Sequence, residues 1–101
     1  MMAWEARALA AGKAAVAGGY ATAAYQEIPT SDGVAFTGTL TRKGRKVATF
    51  AQGGDGGATA FRWKDKAAEA YFNRIGRQAF GQDAFEVDGN VLLGLLEAEG
   101  K

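Results

Sequence analysis

The run from Gly33 to Trp63, GVAFTGTLTRKGRKVATFAQGGDGGATAFRW, constrains the fold more than any other part of the chain. Val34, Phe36, Gly38 and Leu40 alternate with Ala35, Thr37, Thr39 and Thr41, the period of two that marks a half-buried strand. A second run, Arg45 to Gln52, puts Ala48 and Phe50 on one side and Val47 and Thr49 on the other. A third, shorter strand carries Phe61 and Trp63. A two-residue loop at Lys43-Gly44 would set Phe50 opposite Thr37 and mix core with surface. A three-residue loop, Arg42-Lys43-Gly44, sets Phe36 opposite Phe50, Gly38 opposite Ala48 and Thr39 opposite Val47. It keeps one apolar face and one threonine-rich face, so it is the expected register. Gly44 then takes the left-handed position of the turn.

The flanks read as helix and connection. Met2 to about Ala17 favours helix by propensity, with Trp4, Leu9 and Val16 as its larger apolar residues, and Gly18-Gly19 ends it. Tyr20 to Ile28 fits either an opening strand or continued helix. Pro29-Thr30-Ser31-Asp32-Gly33 is a turn by composition. Beyond the strands, Asp65 suits an N-cap for a helix over about Lys66 to Arg77. Ala68, Tyr71, Phe72, Ile75 and Ala79 form its apolar stripe. Val91, Leu92, Leu95 and Leu96 favour a last helix from near Asp88, although Val87-Asp88-Gly89-Asn90-Val91 also carries a hairpin signal. The expected fold is α+β, one domain over residues 1–101: a three- or four-stranded antiparallel sheet with helices packed on one face.

Composition removes several chemistries. The chain has no His and no Cys. Imidazole bases, Ser-His triads, thiolate ligands and disulfides therefore drop out together. The remaining carboxylates are scattered along the chain, which does not suit paired-acid catalysis. No enzyme activity, cofactor or metal is expected. No apolar run is long enough to span a bilayer. Glu5, Arg7 and Lys13 interrupt the alanine-rich start, which makes a poor secretory signal, so a cytoplasmic protein with no membrane partner is expected.

Net charge is only +1, but it is uneven. Nine basic and three acidic residues lie between Arg42 and Arg77, and five acidic residues with no basic one between Asp83 and Glu99. A positive and a negative end are expected. Arg42, Lys43, Arg45 and Lys46 crowd the turn, and Arg62 and Lys64 flank Trp63. These six are the candidate partner-binding residues. They suit an acidic protein surface or, as a second choice, a nucleic-acid backbone with Trp63 stacking on a base. The bland alternatives are a solvated turn that guards a sheet edge, and Trp63 buried with Phe61. The run GGDGG, Gly53 to Gly57, lacks a following GK[ST] and leads into a strand, so a connection needing positive φ is favoured over a phosphate cradle.

Phe36-Thr37-Gly38-Thr39-Leu40, Lys43-Gly44-Arg45 at the turn, Val47 to Phe50, the loop Gln52-Gly53-Gly54-Asp55-Gly56-Gly57 and the aromatic Phe61 together resemble a recurrent pattern. It is that of small proteins from phages and other bacterial mobile elements. In that family the loop reads asparagine-aspartate-glycine-x-glycine-glycine; here Gln52 and Gly53 replace its first two residues. The resemblance covers about a quarter of the chain and implies neither an enzyme activity nor a cofactor. It implies a mobile-element setting in the cytoplasm of a bacterial host. Small single-domain proteins there often inhibit host defence complexes by binding them, as anti-CRISPR proteins do.

Overall fold

A computed structural model describes residues 3–55 and 57–101. The elements run α1 (Ala3–Ala17), β1 (Tyr20–Thr30), β2 (Gly33–Arg42), β3 (Arg45–Gln52), β4 (Ala60–Trp63), α2 (Lys66–Phe80) and α3 (Val87–Ala98). The four strands form one antiparallel meander in chain order, and the helices lie against one of its faces. This is the expected α+β class, with four strands. Tyr20 to Ile28, open between helix and strand, is strand. The turn after it shrinks to Ser31-Asp32, because Pro29 pairs with Val34 and Thr30 with Gly33. Pro29 fits there because β1 is an edge strand.

The register of the central hairpin corrects the sequence expectation. Lys43 and Gly44 alone form the turn, both at positive φ (53° and 81°). Two such residues suit the tight hairpin turns whose twist matches the strands. A bulge then intervenes: Leu40 pairs with Ala48 and Thr41 with Lys46, which leaves Val47 as the extra residue. Gly38, not Phe36, therefore faces Phe50, and Thr39 faces Thr49. The bulge restores the separation of faces that a two-residue loop alone would lose. Phe36 and Phe50 remain on the buried face, with rings 6.1 Å apart and edge to face. It also buries Val47, which the simple alternation placed among the threonines.

Pairing fixes which side chains share the inner face. Leu40, Ala48 and Trp63 line up across three strands, as do Gly38, Phe50 and Phe61. Phe72 of α2 closes over them, with its ring 6.2 Å from Phe61 and 5.6 Å from Trp63. Tyr20 sits against the same ring at 4.9 Å and donates its hydroxyl to the Ala68 carbonyl at 2.5 Å. The outer face carries Thr37, Thr39, Thr49, Ala51, Ala60 and Arg62, all exposed or half-buried. This is the wet side of a one-sided antiparallel sheet.

Each helix has its own reason to dock. Asp65 caps α2 by accepting from the Ala68 amide at 3.0 Å. Ala68, Phe72, Ile75 and Gly76 are its buried stripe, with Tyr71 and Ala79 half-buried, and the helix runs one turn past Arg77. The hairpin alternative at Val87–Val91 is not adopted: α3 is helical and buries Val87, Val91, Leu92, Leu95 and Leu96. α1 is helical as its propensity predicts, and its small residues form the buried face. Ala8, Ala11, Gly12 and Ala15 face inward, while Trp4 and Val16 are about half exposed (45% and 49%). The reason is backbone proximity. A Cβ on Gly94 of α3 would fall inside the Ala8 carbonyl oxygen, and one on Gly12 inside that of Gly94. Only small residues permit that approach.

Candidate functional site

The β2–β3 turn is anchored at its base. The Lys43 amide donates to the Gly19 carbonyl at 2.7 Å, which ties the turn to the α1–β1 junction. Arg42 lies on the inner face at the rim of the sheet. Its Nε donates to the Gly18 carbonyl at 3.0 Å. Its guanidinium sits over the rings of Tyr71 (4.4 Å to the centroid) and Tyr20 (5.2 Å). These contacts hold Arg42 in one place and cover both tyrosines. The Tyr20 hydroxyl has its pKa raised above 10.0, first by burial, with the positive charge of Arg42 opposing.

Lys64 arrives from the other direction. Ala48 pairs with Trp63, and the Lys64 amide donates to the Val47 carbonyl at 2.8 Å. The first residue after β4 therefore lies beside Val47, near the start of β3. The result is a concavity of about 520 Å³ lined by Arg42, Lys43, Arg45, Lys46, Lys64, Val47 and Asp65. Val47 is buried and forms its apolar part. Asp65 is the one acid, and its carboxylate is engaged by the Ala68 amide. The same residue opens the 15-residue helix α2, whose N-terminal turn adds partial positive charge on this side. Among the described residues the single ion pair is Lys101–Glu99, remote in sequence from this cleft. None of the cleft's five cations has a carboxylate partner among the described residues; Lys43, Arg45, Lys46 and Lys64 are exposed and Arg42 is half-buried.

Five of the six predicted residues thus meet in one cleft, and Arg62 does not. Arg62 pairs with Thr49 and points with the threonines to the outer face. Arg62 lies within β4 and alternates with the inward-facing Trp63, whereas Lys64 lies just beyond the strand's last pair, where alternation no longer sets its direction. The sequence reading missed Val47 and Asp65 as lining residues. For Asp65 the signal was present, because an N-cap directly after Lys64 must sit at the same corner. Trp63 is half-buried, stacked on Phe61 at 5.5 Å with planes 14° apart, and packed on Phe72.

The glycine run is structural where it is described. Gly54 is buried with φ of 81°, and a Cβ there would lie 2.8 Å from the Ala35 amide nitrogen. The loop thus crosses directly over the start of β2. Asp55 accepts from the Gly57 amide at 3.0 Å. Among the described residues of the run, the positive φ expected of the connection falls at Gly54 and not at Gly57; Gly56 lies outside the described residues.

The acidic residues do not gather at one end. Asp83, Glu86 and Asp88 lie at the start of α3, while Glu97 and Glu99 lie at its far end, about 18 Å away for a helix of this length. Glu99 is engaged there: it accepts from the Thr22 amide at 2.9 Å and the Thr22 hydroxyl at 2.5 Å, and lies near Lys101. Asp88 is half-buried and accepts from Asn73 Nδ2 at 3.2 Å. Burial is the main cause that raises its pKa above 3.8. Among the described residues no cluster of three or more side chains could hold a metal ion, and no helix is long and apolar enough to cross a membrane. Comparison with protein-family models, curated proteins and solved structures finds no match.

Proposed function

We propose that this chain is a non-enzymatic binding module that captures a protein partner through the cationic cleft at the β2–β3 turn. In the mobile-element setting implied by the resemblance, the partner is a defence complex in the bacterial cytoplasm, and binding inhibits it. The observation that carries the reading is the cleft itself: five cations on one concavity, none with a carboxylate partner among the described residues, and four of them around a turn tied down by Gly18 and Gly19. A fixed cationic surface complements an acidic patch and steers its approach. A turn anchored before binding loses little freedom on docking.

The nucleic-acid reading has less support. Trp63 is packed on Phe61 and Phe72, so no free aromatic stands beside the cations for base stacking. Arg62 is on the opposite face. DNA titrated against the protein over a range of salt concentrations tests the choice. Five phosphate contacts, at about 0.9 each, would give a log–log salt slope near −4.5. Little or no binding near physiological salt is expected. Micromolar binding with that steep slope would replace the protein partner by nucleic acid.

A further inference from the structure

The cleft is concave as well as cationic. Its volume of about 520 Å³ falls in the range of small-molecule sites, about 300–1,000 Å³. Its lining is mostly polar, Val47 being the sole apolar side chain. The neighbouring tyrosines are covered by Arg42. A ligand seated there meets positive charge from several directions and finds no apolar or aromatic platform. The chemistry that matches is a compact, multiply charged anion whose charges lie close together.

We propose that the cleft is a binding site for an oligophosphate: the inorganic triphosphate chain, or the same group carried by a nucleotide. Arg42 is the fixed donor. Its Nε is held by Gly18, and its terminal nitrogens make no hydrogen bond to another described residue. Lys43, Arg45 and Lys46 come from the turn and the start of β3, and Lys64 closes the opposite wall. Their number suits a phosphate chain rather than a single carboxylate. The glycine run takes no part, since its buried glycine packs on β2 and its aspartate is turned onto the loop's own amide. Oligophosphate and protein partner would compete, a consequence that rests on the partner reading; the binding itself does not.

Isothermal titration of the full chain with sodium triphosphate, with ATP and with sulfate, at about 0.15 M salt, tests the assignment. One-site binding of triphosphate and of ATP with similar micromolar affinity is expected, with sulfate much weaker. The double variant Lys43→Glu/Lys46→Glu and the single variant Lys64→Glu should each weaken triphosphate at least about tenfold while melting as the parent does. Gly57→Ala should bind as the parent does. No heat with triphosphate at millimolar concentration would overturn the assignment. So would binding of ATP without triphosphate, sulfate binding as tightly as triphosphate, or charge-reversed variants that bind undiminished. Loss only in Gly57→Ala would move the site to the glycine run. Partner capture is measured separately. Capture that fails beside intact triphosphate binding defeats the partner reading alone, and the reverse outcome defeats this one alone.

Discussion

Phe50 and Gly38 face each other across the central hairpin, and each fixes what the other position accepts. A Cβ on Gly38 would fall inside the Phe50 ring. Gly38→Ala should therefore destabilise the fold by about 1–3 kcal/mol, as overpacking does. Phe50→Ala, at a nearly fully buried site, should cost about 3–5 kcal/mol, with denaturant midpoints as the check. Alternation in the sequence was enough to put Phe50 inside and Thr37 outside. It could not show which residue Phe50 faces, because the bulge at Val47 shifts the pairing while leaving Phe50 inside and Thr49 outside. The glycine run makes a similar point. Gly54→Ala meets both positive φ and the β2 backbone, so it should lose more than about 1 kcal/mol. Gly53→Ala, at ordinary φ and in ordinary contact with Asp55 at 3.8 Å, should stay within about 0.5 kcal/mol. Nothing in the string GGDGG distinguishes the two. Asp88 gives a pH-dependent test. Burial raises its folded-state pKa; donation from Asn73 opposes, Glu69 adds to the rise and Arg77 opposes. The protonated form is thus favoured by folding, and that contribution is complete below 3.8 and lost as pH rises through the folded value. Asp88→Asn keeps an acceptor for Asn73 and cannot ionise. Its melting temperature should gain on the parent as pH rises from acid to neutral; a constant difference across that range would contradict the account.

Among the elements, α1 and α3 meet along a seam of small residues, Ala8 and Gly12 against Gly94. Two glycines of α3 separate packing from helix propensity. Gly94→Ala drives a methyl into the Ala8 carbonyl and should destabilise by about 1–3 kcal/mol or more. Gly89→Ala meets Thr59 at 3.4 Å, ordinary contact, and should be neutral or stabilising by up to about 1 kcal/mol from propensity alone. Thermal melts of the two variants check both signs. α2 was legible in the sequence because it places large apolar residues on one stripe behind an aspartate cap. α1 was legible as a helix, but its buried face was not, because alanine occupies every face and the buried stripe is the one without bulk; the spacing of four between Ala8 and Gly12 was the one available sign. β1 was ambiguous for a different reason. Its register shifts between Ala23 and Gln26, with Ala24 at φ of 53°, so the alternation that identifies a strand is broken in the middle.

At the scale of the molecule, the cleft assembles from two stretches of sequence about twenty residues apart. The cluster at the turn was legible as four cations around Lys43-Gly44. Lys64 joins them only because β3 pairs with β4, and Arg62 is excluded by the same pairing. A linear reading of charge therefore grouped five residues that do meet in space and one, Arg62, that lies on the other face. It also expected a negative end, whereas the acidic residues are divided between the two ends of α3 and Glu99 is occupied by Thr22. The central claim is that the cleft, and not the rest of the basic surface, engages the partner. Quantitative co-purification from a bacterial host lysate tests it most directly, with the parent chain, the triple variant Lys43→Glu/Arg45→Glu/Lys46→Glu, and Arg62→Glu as the charged control on the opposite face. All three should melt alike, because Lys43, Arg45, Lys46 and Arg62 are exposed. The account predicts that proteins retained by the parent are lost by the triple variant and kept by Arg62→Glu. Retention of the same proteins by the triple variant, or their loss in Arg62→Glu alone, would contradict it and move the interface to the threonine face.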